Sequence, residues 1–421
     1  LQNIKNMKDK NISHLNLCRV FLLGISSGLP LVLVLSTFGV WLVDVNVSKT
    51  TIGLFALATT PYSLKFLWSP FIDGIRLPGL HKVLGHRKSW LMLSQAGLVV
   101  TIVTLSSIDP AEHLFLSAVI VLAITFCSAT QDIVIDAYRI ELATDKEQGM
   151  FATFLIYGYR IGMLISGAGA LFLASSMEWH IVYKIMAGIM AIIALLTLSF
   201  PETQKNKESS KTSYGEWIKQ YVFYPFLNFT KNDQFILILI FIILYKFGDA
   251  FAGIMTNPFL LEQGFDKIDI ASIVKTIGLG FTMLGLSIGG IIVAKVNLKN
   301  ALIFCGVLQA LSNLMFCVQT YFPGDKQVLM LTIGLENLTG AMGTVAFVAF
   351  ISKLCHKNYT ATQYALLSSF ASFGRTFFSS GAGIVADNFN WIMFFSISTI
   401  LAIPGIVMLL FIKNNILDKK P

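Results

Sequence analysis

Charged residues are scarce in this chain of 421 residues. Asp, Glu, Lys and Arg make up 13% of it, whereas hydrophobic residues make up 55% and mean hydropathy is +0.71. A soluble fold could not bury so much apolar surface, which excludes a soluble globular protein. Alternating apolar and polar residues over stretches of about ten, the signature of a membrane β-strand, are also missing. The composition therefore favours helices packed in lipid.

Patterns that support chemistry are missing too. The five cysteines form no CxxC pair and no Cys/His spacing, and we interpret them as buried packing residues. The sequence has no metal-ligand spacing, no phosphate-binding glycine loop and no nucleophile elbow. The net charge of +8 is not gathered into the contiguous basic stripe of a nucleic-acid surface. We therefore predict no metal, no cofactor, no nucleic-acid partner and no enzymatic activity.

Long apolar runs recur along nearly the whole chain, each near the roughly 20 residues that span a bilayer. They predict an all-α membrane protein with twelve transmembrane helices. The 34 Phe and 32 Gly suit helices packed in lipid, where small residues allow close approach. The predicted helices 1 to 12 lie at about 17–42, 50–73, 89–108, 114–140, 149–173, 180–200, 234–261, 268–295, 300–322, 327–353, 359–385 and 390–412.

The distribution of basic residues predicts orientation. Most Lys and Arg fall in the two termini and the even-numbered loops, and only Lys49, Lys267 and Lys326 fall in the odd-numbered loops. By the positive-inside rule, both termini are predicted to be cytoplasmic.

The longest polar interruption divides the chain into lobes at 1–200 and 234–421, with a cytoplasmic linker at 201–233. The linker's aromatic stretch, Tyr214 to Phe229, is either an amphipathic segment on the inner membrane surface or an ordinary connection. The sequence does not separate these two interpretations.

The two halves share a spaced pattern. Gln148 and Arg160 are twelve residues apart and are followed by SGAG at 166–169, while Gln363 and Arg375 are twelve apart and are followed by SGAG at 380–383. The shared order and spacing indicate a duplication that makes helices 5 and 11 equivalent. Two six-helix lobes of this kind predict a midplane cavity that opens alternately to each side.

Ionisable residues inside the predicted helices are the main clue to mechanism. Each costs at least roughly 2.5–3.5 kcal/mol in the bilayer core unless it borders water or a partner. Each is therefore part of a structural ion pair or part of the transport mechanism. They are Lys65, Asp132, Asp136, Arg160, Lys184, Lys246, Asp249, Lys275, Glu336 and Arg375.

Helix 4 places its polar residues on one face, at Thr125, Ser128, Asp132, Asp136 and Arg139. Such a stripe on an apolar helix predicts contact with the cavity or with an interdomain seam. From the rise per residue, Asp132 lies in the inner half of the membrane and Asp136 near its cytoplasmic surface. Asp132 is therefore predicted to titrate or to contact substrate, and Asp136 and Arg139 to close the cytoplasmic gate.

Helix 7 carries Lys246 and Asp249 one turn apart, close enough to pair. The pair is either permanent, or a proton that binds Asp249 releases Lys246 and couples protonation to conformation. Glu336 in helix 10 completes the predicted proton-coupling set with these two residues and Asp132.

Arg160 and Arg375 lie near mid-depth on the equivalent helices 5 and 11. They are predicted to hold a carboxylate of the substrate through bidentate hydrogen bonds, unless they pair with Asp132 or Glu336. The polar groups predicted to share the substrate cavity with these arginines are Gln131, Tyr159, Asn257 and Asn337.

Four stretches, mainly in the first half, carry a family likeness. They are SGLP at Ser27–Pro30, PYSLKFLWSP at Pro61–Pro70 with Asp73 behind it, ATQD at Ala129–Asp132 and GYRIGMLISG at Gly158–Gly167. In these stretches the chain resembles the AmpG family of muropeptide permeases, within the major facilitator superfamily. The same SGLP stretch, with Gly24 and Gly28, also allows either a bend in helix 1 or close helix packing.

The resemblance implies a proton-driven importer of anhydro-muropeptides in the bacterial inner membrane, with Gln131 near the substrate path. We expect the protein to be a monomer. It also implies a gate, because Asp73 with Gly85, Arg87 and Lys88 resembles the superfamily's signature between helices 2 and 3. Here the connecting loop is longer, and His86 stands where a basic residue is usual. The alternatives are a carrier of the same fold for acetyl-CoA, a peptide or a sugar, and an intramembrane enzyme or receptor.

Overall fold

The computed structural model describes residues 2–144, 146–203, 214–230, 233–379 and 381–413. Within these ranges all regular secondary structure is helical, and ten helices are long and apolar enough to cross a membrane. The prediction of an all-α membrane protein is confirmed. The helices keep the numbers of the predicted spans below.

Most of the predicted helices are found close to their predicted positions. Their bounds are Gln2–Val32 and Phe38–Asp44 for helix 1, His86–Leu105 for helix 3, Leu114–Leu142 for helix 4, Gln148–Leu164 and Ala170–Ala174 for helix 5, Trp179–Thr197 for helix 6, Phe235–Leu244 and Phe247–Glu262 for helix 7, Lys267–Ser272 and Gly278–Lys295 for helix 8, Leu298–Ser312 and Leu314–Gln319 for helix 9, Lys326–Leu354 for helix 10 and Trp391–Phe411 for helix 12.

Helices 2 and 11 are helical but interrupted, and neither is among the ten candidate spans. Helix 11 consists of Thr360–Ser379 and Ala382–Asn388. In helix 2, Pro61 and Pro70 lack the backbone N–H that a continuous helix needs, which favours short pieces. These pieces are Lys49–Leu54, Phe55–Thr59, Thr60–Leu64, Lys65–Leu67 and Ser69–Gly74, of which the second and fourth are 3₁₀ turns.

The repeated SGAG coincides with irregular backbone in both halves. In helix 5 it lies in the π turn Ile165–Gly169, and in helix 11 it lies at the interruption, although Ser380 is outside the described residues. Helix 1 has its own π turn at Leu33–Thr37, and Thr37 Oγ1 donates to the Ser166 carbonyl at 2.5 Å. Glycine weakens a helix and permits such local rewinding.

Glycines bring helices 1 and 5 into backbone contact. A Cβ atom on Gly24 would overlap the Leu155 carbonyl, and one on Gly28 would overlap the Tyr159 carbonyl. Of the two explanations that the sequence left open for these glycines, the structure supports close packing.

The chain divides into two compact units. The first comprises Leu1–Thr144, Phe154–Pro225 and Lys357–Ala365. The second comprises Asp145–Thr153, Phe226–His356 and Leu366–Pro421. The start of helix 11 thus belongs to the first unit and the start of helix 5 to the second. The lobe boundaries at 200 and 234 stay a prediction.

Each unit has its own apolar core. In the first, Phe38, Trp41 and Tyr183 are buried together. In the second, Phe316 and Phe395 are stacked and Phe259 packs edge-on against both. Large apolar side chains are also exposed on both units, including Phe172 at 77% and Ile384 at 70%. A bilayer would cover such a surface.

Candidate functional site

The polar face of helix 4 meets helix 1 at Asp132. Ser27 Oγ donates to Asp132 Oδ1 at 2.6 Å, and the adjacent Gln131 donates from Nε2 to the Ser26 carbonyl at 2.9 Å. Gln131 is fully buried, whereas Asp132 keeps part of its surface exposed. Gln131 therefore ties helix 4 to helix 1, and its predicted contact with substrate stays a prediction.

One turn further along helix 4, Asp136 lies between two cations. Lys65 Nζ is 4.0 Å from Asp136 Oδ2, and Arg139 Nη2 is 3.9 Å from Asp136 Oδ1. Lys65 occupies a 3₁₀ turn of helix 2, so the irregular backbone of that helix determines where its ammonium group lies. The sequence marked Lys65 only as an interior charge, and the structure assigns it a partner.

Asp132 differs from Asp136 in its partners. Among the described residues, Asp132 forms no salt bridge within 4.0 Å, and its hydrogen-bond donor is the neutral hydroxyl of Ser27. An ionised carboxylate at membrane depth is costly without a cation nearby. The charged form of Asp132 is therefore less stabilised by its surroundings than the charged form of Asp136.

The two predicted substrate-binding residues on helix 5 differ in burial. Tyr159 is half-buried against helix 1, while Arg160 is exposed and forms no salt bridge within the described part of the chain. Arg160 and Asp132 therefore do not form the permanent ion pair that the sequence left open as an alternative. Arg375 lies in helix 11, but its side chain is outside the described residues.

Arg87 of helix 3 forms salt bridges with Asp73 of helix 2, as the gate prediction expects, and with Glu141 of helix 4. Its guanidinium is fully buried, and Nη2 lies 2.7 Å from Asp73 Oδ1 and 2.7 Å from Glu141 Oε1. Removing one partner from a buried ion pair costs about 3–5 kcal/mol, so this cluster holds the ends of helices 2, 3 and 4 together. The longer loop before helix 3 does not prevent the Asp73–Arg87 contact.

Asp73 also accepts hydrogen bonds from the first turn of helix 11. Thr362 donates to Asp73 Oδ2 from its backbone N at 2.7 Å and from Oγ1 at 2.6 Å. A carboxylate at a helix N-terminus satisfies free N–H groups and interacts favourably with the helix dipole. One side chain thus joins helices 2, 3 and 11 within the first unit.

Glu202, just after helix 6, holds the start of helix 3. Its carboxylate accepts from the backbone N of Arg87 at 3.3 Å and from that of Lys88 at 3.2 Å. A Cβ atom on Gly85 would overlap Glu202, and Gly85 has a φ of +88° that favours glycine. Lys88 Nζ donates to the Leu198 carbonyl at 2.8 Å, which anchors helix 3 to helix 6.

Sequence reasoning missed Glu141, Glu202 and Thr362 in this cluster. Two of them had a usable signal, because Glu141 is a carboxylate in the last turn of an apolar helix and Glu202 lies in the PET that follows helix 6. Thr362 had none, since its role depends on the packing of helix 11.

The linker after residue 213 packs on the end of helix 2. Its helical pieces are Tyr214–Ile218, a π turn at Lys219–Phe223, and Tyr224–Thr230. Trp217 stacks on Phe71 at 5.6 Å between centroids, and its Nε1 donates to the Gly74 carbonyl at 3.4 Å. The linker therefore contacts the helix end that carries Asp73.

We expect Trp217→Ala to loosen this linker. Losing the stacking and the hydrogen bond removes about 1–2 kcal/mol of local stability, which corresponds to about five- to thirtyfold faster local opening. Limited trypsinolysis after the exposed Lys219, followed by mass spectrometry, measures the change. Phe223→Ala is the control, because Phe223 is 55% exposed, and equal cleavage rates in the two variants contradict the prediction.

The second unit has its own polar cluster at the break in helix 7. Lys246 caps the piece Phe247–Glu262, and its Nζ lies 3.4 Å from Asp249 Oδ2, 3.2 Å from Gln309 Oε1 and 2.9 Å from the Gly340 carbonyl. The predicted Lys246–Asp249 pair is present. Gln309 was not predicted, although a glutamine inside an apolar helix is a signal.

Helix 10 contributes the third predicted proton-coupling residue to this unit. Glu336 Oε2 accepts from Asn337 Nδ2 at 2.8 Å, and Asn337 Oδ1 accepts from Thr282 Oγ1 at 3.0 Å. Asn337 is therefore engaged within the unit, whereas Asn257 on helix 7 is exposed. Their contacts with substrate stay predictions.

Comparisons with known proteins agree with this arrangement. The family model described as Major Facilitator Superfamily matches residues 20–322 and 247–421. Two solved structures share the fold at a TM-score of 0.67: the proton:xylose symporter XylE, 13% identical over 94% of each chain, and FucP in the outward conformation, 14% identical over 94% of this chain and 97% of that chain. These similarities define a membrane transporter built from two helical lobes. The predicted major facilitator fold is confirmed, with ten candidate spans among the described residues where twelve were predicted.

Curated relatives narrow the class. "Putative transporter AmpG 4" of Rickettsia felis is 37% identical over 95% of this chain and 97% of that protein. "Anhydromuropeptide permease" of Escherichia coli K12 is 36% identical over 94% of this chain and 79% of that protein. The chain therefore belongs to the AmpG family within the major facilitator superfamily.

Proposed function

We propose that this transporter imports anhydro-muropeptides across the bacterial inner membrane, driven by protons. The cargo is supported by the relative named as an anhydromuropeptide permease, which matches nearly the whole chain. Proton coupling is supported by one observation above all. Asp132 lies at membrane depth with a hydroxyl as its donor, whereas the neighbouring Asp136 lies between two cations.

In the proposed cycle, a proton from the outer side neutralises Asp132. A neutral acid can still hydrogen-bond to Ser27, but it no longer needs hydration, which lowers the cost of closing the cavity around it. The substrate's peptide carboxylate is held by Arg160 and Arg375, and its sugar hydroxyls by Gln131, Tyr159, Asn257 and Asn337. Release of the proton to the cytoplasm resets the carrier.

The gate residues control access to the cavity from the cytoplasmic side in the proposed cycle. Asp73, Arg87, Glu141 and Thr362 form one buried network that joins helices 2, 3, 4 and 11. In the proposed orientation, with both termini cytoplasmic, this network seals the cytoplasmic side. Opening inward breaks the contacts of Asp73 with helix 11, and substrate binding energy offsets that cost.

Uptake by purified protein in proteoliposomes tests the proposal. With a gradient of one pH unit across the membrane, acid outside, we expect labelled anhydro-muropeptide to accumulate about tenfold for one proton per substrate. An uncoupler should abolish the accumulation. Acetyl-CoA, a free peptide and a sugar serve as competing solutes, and gradient-driven uptake of one of these in place of the muropeptide contradicts the proposed cargo.

A further inference from the structure

Helix 9 carries buried amide side chains that the proposed cycle does not use. Gln309 and Asn313 are one turn apart on one face, at 4% and 1% exposure. Within the part of the chain that the structure describes, Gln309 Nε2 and both polar atoms of Asn313 have no hydrogen-bond partner. The helix is interrupted at Asn313, between Leu298–Ser312 and Leu314–Gln319.

Such unpaired groups need an explanation. A buried donor or acceptor without a partner costs about 1–3 kcal/mol, and lipid offers no hydrogen bonds. Three unpaired polar atoms on two neighbouring amides form the kind of polar site that internal water occupies in proteins. A packing role alone would favour leucine at position 313.

One of the two amides, that of Gln309, contacts the ion pair of helix 7. Gln309 Oε1 accepts from Lys246 Nζ at 3.2 Å, and Lys246 pairs with Asp249. Beside the amides, Thr339 Oγ1 donates to Ser312 Oγ at 2.9 Å, which adds hydroxyls to the same seam between helices 9 and 10.

In the other direction the polar groups continue to the end of helix 9. Gln319 is fully buried; its Nε2 donates to the Phe322 carbonyl at 2.8 Å, and its Oε1 has no partner among the described residues. Gln319 lies six positions beyond Asn313, which corresponds to a rise of about 9 Å and a rotation of about 120° around the helix axis. Waters between the two amides would therefore pass partly around the helix. Phe322, whose carbonyl accepts from Gln319, is 49% exposed, so Gln319 lies one contact away from the surface of the unit.

We propose that this seam is a hydrated proton path from the outer end of helix 9, past Gln319, Asn313 and Gln309, to the Lys246–Asp249 pair. It deepens the proposed function, rests on its proton coupling and orientation, and makes Asp249 a second protonation site beside Asp132. A proton entering at the outer end passes along the waters, and the last water transfers its excess proton to an Asp249 carboxylate oxygen. Lys246 then keeps Gln309 and the Gly340 carbonyl as its remaining partners.

The first test replaces the central amide by an apolar residue with the same branched shape. Asn313→Leu should dry the seam, so that proton-driven muropeptide accumulation falls at least about tenfold while counterflow exchange stays within about twofold of wild type. Asn313→Ser keeps a hydroxyl and room for water, and it should restore accumulation. Leu311→Ala, on the 52% exposed side of the same helix, is the matched control.

The possible outcomes distinguish a failure of the proton path from a failure of the proposed function. Full accumulation by Asn313→Leu overturns the path and leaves the proposed function standing. A wild type that exchanges muropeptide but does not accumulate it under a proton gradient contradicts the proposed coupling itself.

The second test needs no transport. In a variant whose five native cysteines are replaced by serine, Asn313→Cys should react with a small water-soluble thiosulfonate at least about tenfold faster than Ala310→Cys. Ala310 is the control because it is buried on the same helix, at 6% exposure, and is apolar. Equal protection of the two thiols overturns the path, even if Asn313→Leu fails to fold.

Discussion

Asp132→Asn is expected to abolish muropeptide accumulation against a gradient and to leave counterflow exchange nearly intact. Asparagine has the shape of aspartate and keeps an oxygen that accepts from Ser27 Oγ, so substrate binding should change by less than about 0.5 kcal/mol, about twofold. It cannot take up a proton, so the proton gradient can no longer drive the cycle. Paired measurements of gradient-driven uptake and counterflow in proteoliposomes separate the two effects.

Asp136→Asn is the control for that experiment. It lies one turn away on the same helix, but its carboxylate is paired with Lys65 and Arg139. Its loss should change driven uptake and counterflow together, because it alters the gate and not the coupling. Normal uphill transport by Asp132→Asn would remove Asp132 as the coupling site.

Gly343→Ala is expected to disable the cluster around Lys246. A Cβ atom at this position would overlap Gln309 Oε1 and come within 3.7 Å of Lys246 Nζ. Gln309 Oε1 is the end of a flexible side chain and would move away from the ammonium group, which breaks a hydrogen bond from a charged donor worth about 1.5–3 kcal/mol. A loss of 1.4 kcal/mol is tenfold, so we expect driven uptake to fall about tenfold or more.

Gly340→Ala provides a matched pair, since it adds the same methyl group one turn earlier on helix 10. Its nearest neighbour would be Asp249 Oδ1 at 3.8 Å, an ordinary contact, and its carbonyl remains available to Lys246. Uptake should stay within about twofold of wild type. Equal losses in the two variants would show that helix 10 tolerates no added methyl here, and that the position of Gln309 is not the cause.

Much of the membrane architecture could be read from the sequence because hydrophobic length is a local property. Spans such as Leu114–Leu142 and Trp391–Phe411 lie close to their predicted positions. Helices 2 and 11 departed from the prediction, since Pro61 and Pro70 in helix 2 and the glycines of SGAG in helix 11 interrupt regular hydrogen bonding.

The part of the candidate site that consists of charged residues could be predicted from the sequence. Interior Asp, Lys and Arg are conspicuous because their burial is costly, and this identified Asp132, Lys246 and Asp249. Neutral partners carry a weaker signal, as Gln309 does inside an apolar helix, or none. Ser27, Gln309 and Thr362 became visible only when the structure placed them within hydrogen-bond distance of those charges.

The sequence by itself determined that this chain crosses a membrane many times and carries a few ionisable groups at depth, because lipid imposes those constraints residue by residue. The tertiary structure alone decided which of these groups are neutralised. Asp136 lies between Lys65 and Arg139, while Asp132, four residues earlier, has only a hydroxyl donor among the described residues. Ion pairing depends on distances of a few ångströms between different helices, and no local pattern encodes those distances.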